Sequence, residues 1–422
     1  MSSTEEILRA AVAAYQAGRL SEAELGYRRV LRTQPTSHLA LYGLALLCFQ
    51  AGEKEQAIDY VHRSLKFEPN NGLTWNFLGT LYIETDRPVE AKAAFLRATE
   101  LLPENLESWC NLAHCLLLER NLDGAAQLLR RVLTAPHPPA RASEWLADIL
   151  RRQGRLSEAA QTVAAWQVRE PTNPIARHMS AAFSGQGAPI RASDEYVQAH
   201  FDAFADGFDS VLRSLDYRGP ELVSGALRAA ASHRQPIPDP SSDMERPSTP
   251  AFACILDAGC GTGLSGPHLR EFCQRLVGID LSPRMLHHAQ LRGCYDELAT
   301  AELGAFMRSR PSAFDAIVCA DTLVYFGGLA EPLASAHETL RGDGPLVFTI
   351  EALPQNDSAD YRLGVSGRYQ HSTAYLHRVL NESGFVAESV AQQTLRKDAG
   401  RDVPGYVVVV RKDLSRSADD NT

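Results

Sequence analysis

The sequence predicts two fold classes in succession: a superhelix of paired α-helices, then an α/β domain with a doubly wound, mainly parallel sheet. Three observations predict this order. Alanine recurs every 34 residues through residues 1–172. The stretch 253–266, ACILDAGCGTGLSG, has the pattern of a buried strand, a glycine turn and the start of a helix. Apolar runs and helical patterns then alternate as far as residue 410.

Length and composition fit a chain of two or three globular domains. The chain has 422 residues, of which 45% are hydrophobic and 22% charged, which is ordinary for a globular protein. The net charge of −9 argues against a general binder of the nucleic-acid backbone, which presents a basic face. We therefore do not expect nucleic acid as a partner. Because there is neither a signal-peptide pattern nor an apolar run of transmembrane length, we expect no membrane association.

The cysteines predict a reducing compartment. All eight are scattered, with no CxxC pair and no Cys/His cluster at zinc spacing. Several lie inside apolar runs, where cysteine behaves as a small hydrophobic residue. We therefore expect a cytoplasmic protein without a metal site.

Residues 1–172 form an internal repeat with a period of 34. The recurring alanines are Ala23, Ala57, Ala91, Ala125 and Ala159, and the recurring prolines are Pro35, Pro69, Pro103 and Pro171. The third unit adds Trp75, Leu78, Gly79, Tyr82, Phe95 and Ala98. This is the tetratricopeptide repeat (TPR) pattern, which predicts five helix pairs stacked around a concave face. Such a face binds a peptide or another protein; the alternative is a scaffold or dimerisation surface.

Residues 173–192 predict a linker, with a helix-like stretch at 174–183 followed by SGQGAP. A second domain is then predicted over 193–412. Ser193 and Glu195 predict the start of its first helix, which carries Tyr196, Phe201 and further aromatic residues. The Pro- and Ser-rich stretch 233–250 predicts a disordered loop, with a lid as the alternative, and 413–422 predicts a disordered tail.

The glycine turn at the start of the α/β pattern predicts a ligand site. Asp257 ends the first strand, and Gly259, Gly261 and Gly263 follow at alternate positions. Glycines let the backbone turn tightly and let a ligand approach closely because no Cβ stands in the way. The helix beyond them offers free N–H groups. From Gly261 onwards the turn also matches the dinucleotide fingerprint GxGxxG, so a dehydrogenase is a third alternative.

The fuller string, Asp-x-Gly-x-Gly-x-Gly, resembles motif I of the class I S-adenosylmethionine (SAM) dependent methyltransferases. The resemblance implies a Rossmann-like, seven-stranded domain whose glycine loop wraps the methionine part of SAM. The segment FDAFADGFD at 201–209 resembles the N-terminal cover of ubiquinone-biosynthesis-like and BioC-like methyltransferases. That likeness implies that Phe204 and Phe208 face the pocket, whereas we predict core packing for Phe201. With ADTLVYFGGL and FTIE, nearly the whole chain resembles bacterial predicted methyltransferases that carry TPR repeats.

Further cofactor residues follow from the second and third strands. Asp280, which ends the strand 276–280, offers two acceptor oxygens to a ribose diol. The string DLSPRML, 280–286, matches the family's D-x-S-x-x-M-L, which implies that Leu281 and Met285 pack near the adenine. Helix–sheet packing is the alternative for Met285. The family places an acid after strand three to bind the adenine amino group. Glu302 occupies that place, and Leu303 would add the adjoining contact.

The acceptor end is predicted at the edge that follows strand four. Asp321 and Tyr325 come after the apolar run 314–320, where open α/β sheets bind ligands. For Asp321 the alternative is a helix cap. Methyl transfer mainly requires alignment of the reacting atoms, but an oxygen or nitrogen nucleophile can also need a base. We hypothesise that His371 is that base, that Asp321 is a second proton acceptor, and that Tyr325 orients the acceptor.

Two interpretations from different classes follow. In the first, the protein is a SAM-dependent methyltransferase whose TPR array recruits a protein partner or an acceptor. In the second, it is a non-catalytic TPR scaffold that keeps a SAM-binding fold. The methyl acceptor stays open among a protein side chain, a small metabolite, a carrier-bound carboxylate and a glycan.

Overall fold

A computed structural model describes residues 3–232 and 250–413. Of the predicted loop 233–250 and the predicted tail 413–422, residues 233–249 and 414–422 lie outside the described residues. The chain divides into two compact units, Met1–Arg151 and Arg152–Thr422. No helix in the described ranges combines the length and the apolarity needed to cross a bilayer.

The first unit is built from antiparallel helix pairs, as the 34-residue period predicts. Its helices are α1 (Thr4–Gln16), α2 (Leu20–Thr33), α3 (His38–Gln50), α4 (Lys54–Phe67), α5 (Gly72–Glu84), α6 (Pro88–Leu101), α7 (Leu106–Leu118), α8 (Leu122–Val132) and α9 (Ala140–Arg152). The recurring alanines at 23, 57, 91 and 125 are completely buried. A methyl side chain at these positions lets the paired helices approach closely, which explains the repeat.

The turn inside each helix pair requires a left-handed residue. Gly18, Gly52 and Gly154 have φ of 73°, 80° and 75°, and no atom lies within 4 Å of the position of a Cβ at any of the three. Asp86 takes the same conformation, with φ 58°. Arg120 holds the remaining slot at φ 60°, which the sequence analysis did not predict. The backbone therefore repeats even where the residue type does not.

The second unit begins with helices. These are α10 (Leu156–Arg169), α11 (Pro174–Ser184), α12 (Asp194–Phe204), α13 (Phe208–Ser214) and α14 (Gly219–Ala231). Helix α11 lies inside the predicted linker. It forms because Asn173 caps it, accepting from the amides of Ile175 and Ala176, and because it buries Ala176, His178 and Ala182.

Among the residues that the structure describes, a nine-stranded sheet forms the centre of the second unit. Its strands are β1 (Phe252–Ala258), β2 (Cys273–Asp280), β3 (Glu297–Thr300), β4 (Ala316–Cys319), β5 (Leu346–Ala352), β6 (Tyr361–Leu363), β7 (Tyr369–His371), β8 (Phe385–Asp398) and β9 (Arg401–Lys412). Strands β3-β2-β1-β4-β5 are parallel, and β9 pairs antiparallel with both β5 and β8. This confirms the predicted Rossmann-like α/β class.

Helices cover both faces of this sheet. They include α15 (Gly266–Arg270), α16 (Pro283–Leu291), α17 (Leu303–Arg308), α18 (Ala330–Thr339) and α19 (Thr373–Glu382). Apolar residues of α14 and α15 pack with one set of strand residues, and those of α17, α18 and α19 pack with another. The parallel strands are therefore buried on both faces, and their carboxyl ends meet at one edge.

The two strands beyond the predicted seven are β6 and β7, which form a short hairpin at that edge. Strand β4 pairs with β5 only as far as Cys319 and Phe348, and β7 pairs with β5 further on, at Glu351 and Ala352. Strand β9 occupies the opposite edge of β5 over the same residues. The hairpin therefore fills the place that the short β4 leaves open.

Candidate functional site

A cleft lies at the carboxyl edge of the parallel strands. It encloses about 1010 Å³, open solvent included, which suits a small-molecule ligand. The sequence-predicted residues in its wall are Gly259, Gly261, Asp280, Leu281, Glu302, Leu303, Asp321 and Tyr325. The predicted residues outside its wall are Asp257, Gly263, Met285 and His371.

The glycine loop forms one side of the cleft. The amides of Gly259 and Cys260 both donate to the Ile279 carbonyl, at 2.9 and 2.8 Å, so the loop is fixed to β2. Gly261 has φ 54°, and a Cβ there would meet only a Phe208 ring carbon at 3.9 Å. A ligand can therefore reach the backbone at Gly261. At Gly263 a Cβ would lie 2.9 Å from Tyr295, so that glycine permits packing behind the loop.

Asp280 presents a fixed carboxylate to the cleft. Its Oδ2 accepts from the Gly261 amide at 3.0 Å, and its Oδ1 accepts from the Ser282 amide at 2.8 Å. Burial raises the pKa of this carboxyl to about 6, although the two amides and the Leu281 amide lower it. Asp280 is therefore mostly ionised at neutral pH. Each oxygen keeps a lone pair for a further donor, which fits the two hydroxyls of a ribose.

Asp257 lies behind the loop rather than in the cleft wall. It is 1% exposed, and its Oδ2 accepts from the Tyr295 hydroxyl at 2.6 Å. Burial raises the pKa of Asp257 to about 7, against the opposing effect of that hydrogen bond. This position supports a role in fixing β1 and the glycine loop.

The next part of the wall, where we predict the adenine, contains Leu281, Glu302 and Leu303. The Glu302 carboxylate also caps α17, because its oxygens accept from the amides of Gly304 and Ala305 at 3.1 and 2.6 Å. A contact between Glu302 and the adenine stays a prediction. In such a contact the adenine amino group would share the Glu302 carboxylate oxygens with the two amides. Met285 is completely buried beneath the wall, as its helix–sheet alternative expects.

At the acceptor end, the structure places Asp321 and Tyr325 in the wall and His371 behind it. Asp321 has φ 57°, and its amide donates to Thr349 Oγ1 at 2.8 Å. His371 is completely buried, with Nε2 3.1 Å from the Gly327 carbonyl. Burial lowers the pKa of His371 to about 4. The hypothesis that His371 is a general base therefore has no support from its position, because β7 turns its side chain into the protein.

The same end holds a buried cluster of four charges. Arg396 pairs with Glu351, and its Nη1 lies 3.4 Å from Asp321 Oδ1. Arg368 Nη1 lies 3.1 Å from Asp321 Oδ2 and 3.7 Å from Glu351 Oε1. Asp321 and Arg368 line the cleft, and so does Tyr217, whose pKa burial raises well above its ordinary value. Sequence reasoning missed Arg368 and Tyr217, since neither lies in a motif.

Aromatic residues of α12 and α13 cover the cleft. Phe201 and Phe208 both line it, with ring centroids 5.8 Å apart in an edge-to-face arrangement. The sequence analysis predicted core packing for Phe201, which indeed also packs against the buried core. The predicted position of the Phe204 side chain lies outside the described residues.

Three aspartates on this cover, Asp202, Asp206 and Asp209, form what we call the cover latch. They are spaced so that they share one face of the helical segment. Asp202 accepts from Ser282 Oγ, whose own amide binds Asp280. Asp202 is thus connected to the Asp280 carboxylate through one residue, Ser282.

The other two latch residues bind α16 and the glycine loop. Asp206 contacts Arg284 and His288, with His288 Nε2 at 3.0 Å. Asp209 accepts from Thr262 Oγ1 at 2.6 Å and pairs with Arg292. Thr262 lines the cleft and is 2% exposed. The spacing of acids and bases on the two helices is visible in the sequence, but their pairing is not.

Comparisons with known proteins agree with this architecture. Residues 256–348 match the family model described as a methyltransferase domain. Residues 8–71, 78–140 and 135–174 match the tetratricopeptide repeat model.

Two curated relatives each match about a third of the chain. Human methyltransferase-like protein 27 is 36% identical over 144 residues, which are 32% of this chain and 52% of that protein. The malonyl-[acyl-carrier protein] O-methyltransferase of Enterobacter lignolyticus is 28% identical over 143 residues, or 32% of this chain and 57% of that protein. The chain therefore spans little more than half the length of either relative.

Among solved structures, a Burkholderia thailandensis 1,6-didemethyltoxoflavin-N1-methyltransferase aligns with 54% of this chain and 92% of its own. The TM-score is 0.39 and the identity 20%. The tetratricopeptide repeat model thus matches the helical N-terminal part of the chain, the methyltransferase-domain model matches part of the second unit, and the second unit has a Rossmann-like fold.

Proposed function

We propose that the protein is a SAM-dependent methyltransferase that transfers a methyl group to an acceptor still to be identified, with the TPR array recruiting a protein partner or the acceptor. The observation that carries this proposal is the Asp280 carboxylate. Both of its oxygens are fixed by backbone amides, and it faces a cleft beside a glycine loop.

The residues of the cleft fit SAM. Asp280 would hold the ribose hydroxyls, and the open backbone at Gly261 would lie against the methionine part. Leu281 and Leu303 offer apolar surface to the adenine, with Glu302 at its edge. The cleft wall is therefore polar where the polar groups of the nucleoside would lie, and apolar where its adenine ring would lie.

When bound, SAM supplies a methyl group activated by its positively charged sulfur. The chain's own residues would bind, orient and shield the reactants, which is the main requirement of an in-line displacement. Phe201 and Phe208 would exclude water from the cleft. Tyr325 would orient the acceptor, and Asp321 would hold the acceptor or take a proton from it.

The role proposed for the first unit rests on its repeats. Stacked helix pairs of this kind expose a concave face, and the array precedes the methyltransferase domain in the same chain. A partner bound there would bring an acceptor to high local concentration near the cleft.

The eight cysteines are free thiols, which supports the predicted cytoplasmic location.

The test is calorimetric titration of the full chain with SAM, S-adenosylhomocysteine and NAD. We expect both adenosyl ligands to bind and NAD not to bind. Asp280→Ala removes hydrogen bonds to a charged group that are each worth about 1.5–3 kcal/mol, so affinity should fall at least ~10-fold. Asp360→Ala is the matched control, because Asp360 pairs with Arg378 in solvent. Failure of the folded protein to bind either adenosyl ligand would favour the scaffold interpretation.

A further inference from the structure

Arg368 is a charged side chain in the cleft wall that takes part in none of the ligand contacts proposed above. It lies in the turn between β6 and β7, next to the acceptor end. Its side chain is only 17% exposed. Removing a guanidinium from water costs free energy unless other groups bind it. The groups that contact Arg368 therefore matter.

The backbone on both sides of Arg368 is held firmly. The Gly367 carbonyl lies 2.9 Å from His178 Nε2, and the His178 ring stacks on Tyr196 at 3.8 Å between centroids. On the other side, Tyr369 is completely buried and its hydroxyl donates to the Pro189 carbonyl at 2.6 Å. The structure therefore presents the arginine in one orientation before a ligand arrives.

The guanidinium has donors to spare. It carries five N–H groups, yet both of its ion-pair contacts, to Asp321 and Glu351, use Nη1. That nitrogen is buried and has no hydrogen-bond partner among residues 3–232 and 250–413. Neither ion pair uses Nε or Nη2, and the carbon between the nitrogens lies 5.9 Å from the Tyr325 ring centroid.

The surrounding charges limit what can bind there. Arg396 already faces both Asp321 and Glu351, so these two acids do not depend on Arg368 alone. A cationic ligand group would be repelled by Arg368. A dianion such as phosphate would be repelled by the two acids. A planar monoanion is the remaining match, because a carboxylate accepts two parallel hydrogen bonds from the guanidinium fork.

We infer that Arg368 receives a carboxylate group of a ligand in the cleft. This inference rests on the proposed function. The carboxylate could belong to the methionine part of the cofactor or to the methyl acceptor. The chemistry at Arg368 is the same in both cases, and one experiment separates them.

The experiment compares wild type with Arg368→Met, which keeps an unbranched apolar side chain but removes the charge and the donors. Calorimetry measures the affinity of each protein for S-adenosylhomocysteine and for 5′-methylthioadenosine, which lacks the amino-acid part. Hexanoate and hexanamide are then titrated in the presence of saturating S-adenosylhomocysteine. Thermal unfolding checks that each variant is folded, and Arg368→Lys retains the charge without the fork.

Two results would support the inference. If the cofactor supplies the carboxylate, Arg368→Met weakens S-adenosylhomocysteine at least 10-fold and leaves 5′-methylthioadenosine unchanged. If the acceptor supplies it, both adenosyl ligands bind as in wild type. Hexanoate then binds wild type but not Arg368→Met, and hexanamide binds neither. In either case Arg368→Lys should recover only part of the binding.

Other results would overturn it. Equal loss of both adenosyl ligands means that the variant has disturbed the cleft rather than a carboxylate contact. No change in any titration, or equal binding of hexanoate and hexanamide, removes the assignment. Arg396→Met, which breaks the same cluster behind the wall, should lower the melting temperature without changing the ratio of the two adenosyl affinities. Absence of S-adenosylhomocysteine binding to wild type would instead contradict the proposed function itself.

Discussion

The cover latch predicts that cofactor affinity depends on residues that do not touch the cofactor. Asp209 is the clearest case, because it binds Thr262 of the glycine loop and Arg292 beyond α16. Replacing Asp209 with alanine removes both contacts and leaves the residues of the cleft wall unchanged. We expect the cover, with Phe208, to close less completely over a bound adenosyl ligand.

The size of the effect follows from the two contacts. The Thr262 hydroxyl is buried and donates to a charged acceptor, a bond worth about 1.5–3 kcal/mol. The pair with Arg292 is weaker, since its side chains are 39% and 27% exposed, so solvent limits it to below about 1 kcal/mol. A loss of about 2 kcal/mol, near the lower end of the sum of the two contacts, corresponds to a fall in affinity of about 30-fold. The fall in affinity is smaller if the closed state of the cover remains dominant in the variant. We therefore expect the affinity to fall about 5- to 30-fold.

Calorimetric titration with S-adenosylhomocysteine measures this effect. Asp360→Ala is again the control, because it removes an aspartate–arginine pair with side chains 52% and 49% exposed, away from the cleft. Raising ionic strength should weaken binding to wild type more than to Asp209→Ala, because salt screens the exposed latch pairs. The reasoning is refuted if Asp209→Ala binds as tightly as Asp360→Ala.

Three further predictions concern pH and backbone strain. Because ribose hydroxyls donate to an ionised carboxylate, S-adenosylhomocysteine affinity should rise with pH through the Asp280 pKa of about 6 and level off above it; Asp280→Asn should abolish this dependence in titrations from pH 5 to 8. The Asp257 pKa of about 7 is raised above its unfolded value, so its contribution to stability is present below about pH 4 and is lost as pH rises through 7. Urea unfolding should therefore show that the unfolding free energy of Asp257→Asn rises relative to that of wild type between pH 5 and pH 8. Arg120→Gly should raise the unfolding free energy by about 0.5–1 kcal/mol by relieving a left-handed residue, and Gly52→Ala should lower it by a similar amount.

The elements that sequence predicted well are those with local signals. The recurring alanines mark buried helix contacts because close approach tolerates nothing larger, and this requirement repeats in every unit. The glycine loop and Asp280 were predictable because a strand, a tight turn and an acid at a strand end lie close together in the chain. The structure brings Gly261 and Asp280 into direct hydrogen bonding.

The acceptor end was less predictable because its geometry depends on pairing between distant residues. His371 and Arg368 lie three positions apart, and the sequence offered no reason to prefer the arginine. Strand β7 pairs with the end of β5, and this pairing accompanies the complete burial of the histidine while the preceding turn exposes Arg368 to the cleft. Whether a short segment forms a strand, and which of its faces turns inward, depends on such partners rather than on its own residues.

The stretch that the sequence presents as a linker has a structural role in the cleft wall. The carbonyl of Ile190 accepts from the amides of Gly327 and Gly328, and the Ala192 amide donates to the carbonyl of Tyr325, all within 2.9 Å. From the preceding helix α11, His178 binds the residue next to Arg368. Residues before the matched methyltransferase region thus fix both candidate acceptor residues, Tyr325 and Arg368. A change in the position of α11 would therefore reach the acceptor end of the cleft directly, through the hydrogen bond between His178 and the turn that carries Arg368.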